Sequence, residues 1–356
     1  MAIEMCKLSL WLVSLDRDLP FSFVDDKVFL GNSLLGLTQL DQLRNLHIEP
    51  AKGGKWVTKR LSSGIDYQYV VEVDVDSIIK RAVQLRESLA SPVEPDDSPA
   101  RSAAAKRRQL AQLHEVTADL RKLANGVVAT GLSLGGKPGR ALDAAYEDLR
   151  EAAREAYPGA RGGKSDFAWL DSKIDHGLTP TVETDYVRWQ PLHWIIDAAD
   201  VMVAQGGCDA VIGNPPFLGG KKVSGAMSPE VREWLVNQVA GGVKGNADLV
   251  AYFFLRATSL LQAKGTLGLI ATNTVAQGDT REVGLDAMVA AGFTITRAIQ
   301  SRSWPASSAN LEYAAVWGTT APVPDSVPRI ADDFTVRNIN TLLERSEERR
   351  VGKECR

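Results

Sequence analysis

The sequence predicts an α/β protein, an incomplete Rossmann-like doubly wound sheet carrying a helical insertion. Three observations carry that expectation. From residue 190 onward, short apolar runs alternate with helical patterns, the signature of strands separated by crossover helices. Residues 101–160 instead read as two helical segments with a Gly-rich break and a net charge of +3. The composition, 44% hydrophobic and 24% charged, supplies enough apolar surface for a large core.

Taken in order, residues 1–15 place Ile3, Leu8, Trp11, Leu12 and Leu15 near a 3.6-residue period, so an amphipathic helix is expected. Val28, Phe29 and Leu30 read as a short buried strand entering a Gly-containing turn. Tyr67 to Val75 alternates as an edge strand does. Residues 91–105, with Pro92, Pro95 and Pro99, have linker composition. Helices are expected over 103–128 and 140–156. The bland reading is a solvated helical hairpin, and the sharper one a surface facing DNA or a partner.

Beyond residue 190, Ala210 to Ile212 reads as a buried strand ending in a Pro-rich turn. Residues 246–264 form a strong helical pattern, with Asn246 as cap, Asp248 in the first turn and Gly265 after the end. Residues 266–273, 293–300 and 311–318 suit further strands, and 283–291 a helix. The expected domains are 1–90, 91–180 (the insertion), 181–325 (a core around the Pro-rich turn) and 326–356. The last is read as linker and extraneous tail, because residues from Leu342 are charge-rich and lack an apolar period.

The net charge of −3 weakly disfavours binding nucleic acid through bulk electrostatics. Cys6, Cys208 and Cys355 are too few for a disulfide framework, which with the lack of a signal sequence or membrane span predicts a cytoplasmic protein. The four histidines are dispersed, so no metal site is expected. His193, between Trp189 and Trp194, suits packing, and Cys208 reads as a small buried residue. Residues 158–165 come near a phosphate-loop pattern, but Pro158 stands in the first Gly position and no strand leads in.

The informative feature is Asn214-Pro215-Pro216-Phe217, directly after an apolar run. In open α/β sheets, ligands bind beyond the carboxyl ends of strands. Two prolines fix two φ angles and remove two N–H donors, leaving carbonyl acceptors beside the Asn amide. Such a turn suits a ligand offering an NH2 group, with the aromatic ring stacking on the attached planar system. The exocyclic amine of adenine is one such ligand. Two acceptors, the Asn214 side-chain oxygen and the Pro215 carbonyl, would draw its protons out of plane and localise its lone pair for attack on a methyl group. A base in a duplex must be flipped out to reach such a turn.

These residues resemble the catalytic motif of the amino-methyltransferases, Asp/Asn-Pro-Pro-Tyr/Phe. With residues 7–26, 29–36, 213–225, 247–281 and 301–318, the chain resembles an N6-adenine DNA methyltransferase of the type IIG restriction–modification and phage-defence kind. The resemblance implies S-adenosyl-L-methionine as methyl donor, with double-stranded DNA carrying a flipped adenine as partner. It implies that Asn214, Pro215, Pro216 and Phe217 hold and stack the base. It places Gly31, Asn32 and Ser33 near the adenine moiety of the methyl donor, Asn32 standing where the family often has Asp. Lys221, Lys222 and Arg281 would meet DNA, and Trp304 would pack near the flipped base or in the core. Departures matter too. No Gly-rich donor-binding turn and no ribose-binding acid are visible. The expectation is therefore a fragment that begins within the family's second helix, keeps about five of seven strands and has impaired activity. A fused or separate nuclease, target-recognition or defence partner is expected elsewhere. The alternatives are a non-catalytic DNA-binding subunit, or an amino-methyltransferase acting on protein glutamine or RNA.

Overall fold

The computed structural model describes residues 2–14, 24–53, 71, 73–90, 99–158, 163–304 and 312–344. The chain divides into two compact units at Gly206/Gly207. No helix among the described residues is long and apolar enough to cross a membrane.

The first unit is helical. Helix α1 (Ala2–Ser14) forms where the apolar period predicts it. Its apolar residues are largely unburied, however, with Val13 78% and Leu12 55% exposed. Residues 28–30 form no strand, and Leu30 is exposed. The only pairing there is an isolated bridge from Asn32 to Pro191. An extended segment without a ladder gains no strand stabilisation, so the apolar run alone misled the expectation. Of the strand expected at Tyr67 to Val75, residues 67–70 and 72 lie outside the described residues, and Val75 begins helix α2 (Val75–Ala90).

Part of the expected linker, 91–98, also lies outside the described residues. From Pro99 the chain is already helix α3 (Pro99–Leu132). Proline at a first helical position loses only an N–H that has no intrahelical partner. Helices α4 (Arg140–Ala156) and α5 (Ala168–Leu178) follow. Leu120, Leu123, Ala124, Val127 and Val128 recur at helical spacing on α3 and are fully or almost fully buried. Leu142, Tyr146 and Leu149 on α4 and Leu170 and Ile174 on α5 are buried with them, and both helices pack on α3. Gly135 and Gly136, at φ +59° and +60°, turn the chain after α3, and the Gly136 N–H closes on the Gly131 carbonyl at 2.7 Å. His193 is buried in this unit, as its flanking tryptophans predict. Its Nδ1 accepts from the Leu37 N–H, which leaves Nε2 to donate to Asn125 Oδ1 at 2.9 Å.

The second unit is a six-stranded mixed sheet. Its elements are β1 (Cys208–Gly213), α6 (Gly220–Met227), α7 (Leu249–Ser259), β2 (Leu261–Ala271), β3 (Thr294–Ser303), β4 (Glu312–Thr319), β5 (Arg329–Ala331) and β6 (Phe334–Val336). The spatial order is β1-β2-β4-β3-β5-β6. β1 runs parallel to β2, and β4 runs antiparallel to both β2 and β3. The short link from Ser303 to Glu312 explains the reversal, since a parallel return needs a crossover of about a dozen residues or more.

Three expectations are corrected here. β1 is an edge strand rather than a buried one: Val211 packs toward the core while Ile212 is 85% exposed. Among the described residues it pairs on one side only, and an apolar run does not reveal its neighbours. Helix α7 is capped by Asp248, not Asn246, because Asp248 has extended ψ (147°) and its side chain accepts from the Val250 N–H. Residues read as linker and tail join the fold. β5 and β6 extend the sheet, and Leu343 is fully buried in the core with Phe254, Leu269, Leu285 and Val316. Residues 345–356 lie outside the described residues.

Candidate functional site

The Asn-Pro-Pro-Phe turn leaves the carboxyl end of β1, where Gly213 pairs with Leu269 of β2. Asn214 and Pro216 are exposed, Pro215 is buried, and Phe217 is half-buried against the core. The Asn214 side chain has no hydrogen-bond partner among the described residues, so its acceptor and donors are available to a ligand.

The residue that follows the turn is held by the start of α7. Leu218 donates its N–H to Asp248 Oδ1 at 3.2 Å, and its carbonyl accepts from the Leu249 N–H at 2.9 Å. Asp248 Oδ1 also accepts from Val250 at 3.0 Å, and the Asp248 N–H donates to the buried Thr280 hydroxyl at 3.0 Å. The Asn246 N–H donates to Asp279 Oδ2 at 2.6 Å. Gly220 lies against this helix start so closely that a Cβ there would stand 2.1 Å from the Asn246 carbonyl oxygen. Four residues with two fixed φ angles are thus clamped at both ends.

Sequence reasoning missed Asp248 as a contact of the turn. The available signal was an acidic residue immediately before an apolar helix, which marks an N-cap. Its link to Leu218, 30 positions earlier, has no sequence signature.

The expected DNA-contact residues fare differently. Lys221 and Lys222 are exposed on the first turn of α6 and form no ion pair among the described residues. Arg281 is engaged, with Nε 3.2 Å from Asp286 and a longer contact to Glu282. Trp304 packs edge-to-face on Tyr313, the ring centroids 5.4 Å apart.

In the first unit, Gly31, Asn32 and Ser33 form a short exposed to half-buried connection. The Asn32 backbone bonds Gln190 and Leu192, while Asn32 Oδ1 accepts from the Leu34 N–H at 3.0 Å. That leaves the Asn32 NH2 as a free donor among the described residues. The Ser33 carbonyl accepts from Trp194 Nε1. Burial raises the Cys208 thiol above its ordinary pKa, so Cys208 is not a poised nucleophile. No group of three or more His, Cys, Asp or Glu suited to a metal ion occurs among the described residues.

No curated protein matches the chain. Among solved structures, the type IIL restriction–modification enzyme MmeI in complex with DNA is similar, at 18% identity and a TM-score of 0.36. That similarity covers 65% of this chain and 34% of MmeI, so the chain spans about a third of that protein's length. A protein family described as Eco57I restriction-modification methylase matches residues 1–290. With most of its length accounted for by that family, the chain belongs to the Eco57I restriction-modification methylases.

Proposed function

We propose that the protein methylates the N6 amine of adenine in DNA within a restriction–modification or phage-defence system. The observation that carries this reading is the clamped turn from Asn214 to Phe217, with a free Asn amide at the end of a strand. Membership of a restriction-modification methylase family supports DNA as the substrate.

The chemistry follows from the acceptors. The Asn214 side-chain oxygen and the Pro215 carbonyl each accept a hydrogen bond from one N–H of a flipped adenine's amine. Phe217 stacks on the purine. Holding both protons turns the nitrogen toward tetrahedral geometry and localises its lone pair, which ring conjugation otherwise delocalises. Preorganised dipoles of this kind stabilise the positive charge that develops as the new C–N bond forms. The surplus proton leaves the nitrogen for solvent afterwards. Because prolines and backbone ties already fix the turn, little reorganisation accompanies the step.

S-adenosyl-L-methionine, when bound, supplies an electrophilic methyl group. The free donor on Asn32 matches the ring-nitrogen acceptors of its adenine moiety, and Gly31 and Ser33 are the neighbours that would share the contact. Lys221 and Lys222, exposed and without an ion pair among the described residues, suit DNA phosphates.

The test is transfer of a tritiated methyl group to unmethylated duplex DNA, run with this chain and with the complete reading frame at its locus. The expected product is N6-methyladenine, lost on Asn214→Ala. Label appearing only in cytosine, RNA or protein glutamine overturns the adenine assignment. DNA binding without methyl-donor binding in the complete reading frame identifies a non-catalytic DNA-binding subunit instead.

A further inference from the structure

We propose that Asp248 is the positioning residue of the base-binding turn, holding Leu218 and therefore Phe217 in place. The inference rests on the reading of Asn214 to Phe217 as that turn. A helix N-cap needs only to satisfy the first N–H groups of its own helix. Asp248 does this through Val250, but the same Oδ1 atom also takes the N–H of Leu218 from another part of the chain. The next residue, Leu249, completes the grip by donating to the Leu218 carbonyl. Both backbone polar groups of the residue following Phe217 are thus satisfied by one helix start. The carboxylate is buried, so its bonds are weakly screened by water.

The same helix start is tied to the segment that carries Arg281, the residue expected to meet DNA. Thr280 accepts from the Asp248 N–H, and Asp279 accepts from Asn246. Residues 278–281 and the turn are therefore two ends of one hydrogen-bonded assembly. A displacement of Thr280 by DNA would reach Leu218 through Asp248, whereas one of Asp279 would act first on Asn246.

The test compares Asp248→Asn, Asp248→Ser and Asp248→Ala. Asn keeps an acceptor of the same reach. Ser is as good an N-cap but is one bond shorter, so it serves Val250 and not Leu218. Ala serves neither. Thermal denaturation and hydrogen exchange resolved at the Leu218 and α7 amides are read on the chain itself. In the Ser variant, we expect wild-type protection in α7 and roughly tenfold faster exchange at Leu218, the loss of one charge-assisted bond. Asn restores Leu218, and Ala exposes both. In the complete reading frame, the Ser variant lowers kcat with KM for DNA and methyl-donor affinity unchanged, and Asn rescues kcat. Wild-type protection at Leu218 in the Ser variant overturns the proposal, as does exchange there that merely follows α7 in all three variants. If the exchange pattern holds while wild-type protein transfers no methyl to adenine, the base-binding reading fails and the clamp stands.

Discussion

Replacing Gly220 by Ala tests how rigidly the turn is held. A Cβ at this position would sit 2.1 Å from the Asn246 oxygen, 2.3 Å from its carbonyl carbon and 2.6 Å from the Ala247 oxygen. All three are backbone atoms of the α7 approach, so no side chain can swing aside. Restoring ordinary contact requires the two segments to part by roughly an ångström. The Leu218 bonds to Asp248 and Leu249, at 3.2 and 2.9 Å, cannot survive that separation. Losing one neutral and one charge-assisted hydrogen bond costs about 2–4 kcal/mol. Urea denaturation of the second unit should register that loss, and hydrogen exchange should place it at Leu218 and the start of α7. In the complete reading frame, misplacing the turn by about an ångström should lower methyl transfer roughly a hundredfold. An Ala variant with wild-type stability and wild-type Leu218 exchange would refute the clamp.

Other outcomes are expected on the same grounds. Asn214→Ala should leave stability within about 0.5 kcal/mol, because the side chain is exposed and bonds nothing among the described residues, while methyl transfer falls roughly a hundredfold or more; equal losses of both would contradict its assignment. Leu343→Ala should destabilise the second unit by about 2–5 kcal/mol, measured by denaturant melting, since Leu343 is fully buried. Acid should selectively weaken the first unit. Burial holds His193 near pKa 3 and His47 near 4, both below the ordinary value of 6.5, so the unfolded chain takes up protons first as pH falls. The stability these neutral rings contribute is present above pH 6.5 and is lost on descending toward 4 and 3. A melting temperature of the helical unit that stays flat from pH 6.5 to 5 would contradict this.

What could be read from the sequence was local. Two prolines after an apolar run define a rigid turn by covalent geometry alone, and its position at the end of a strand follows from the same run. The helices expected over 103–128 and 140–156, found over 99–132 and 140–156, announce themselves because periodicity and glycine breaks are short-range properties. Asp248 and Leu218 meet through the fold, and neither residue type is unusual where it stands. Leu343 is one apolar side chain in a charged stretch, and a single residue has no period. The run at 28–30 looked like a strand because apolar content cannot show whether a hydrogen-bonding neighbour exists. Ile212 was misjudged for the same reason: burial depends on what lies beside β1, not on β1 itself.

The strand order has a consequence for synthesis. β4 lies between β2 and β3, both of which precede it in the chain. While the polypeptide emerges from the ribosome, Leu267 and Leu269 on one strand and Ile295 and Ala298 on another have no common neighbour until residue 319 is out. Leu343, which fills the same interior, arrives later still. The second unit therefore cannot close progressively and must consolidate late. Nascent chains stalled before β4 should be bound by chaperones and cut readily by proteases, whereas those released past residue 344 should resist both.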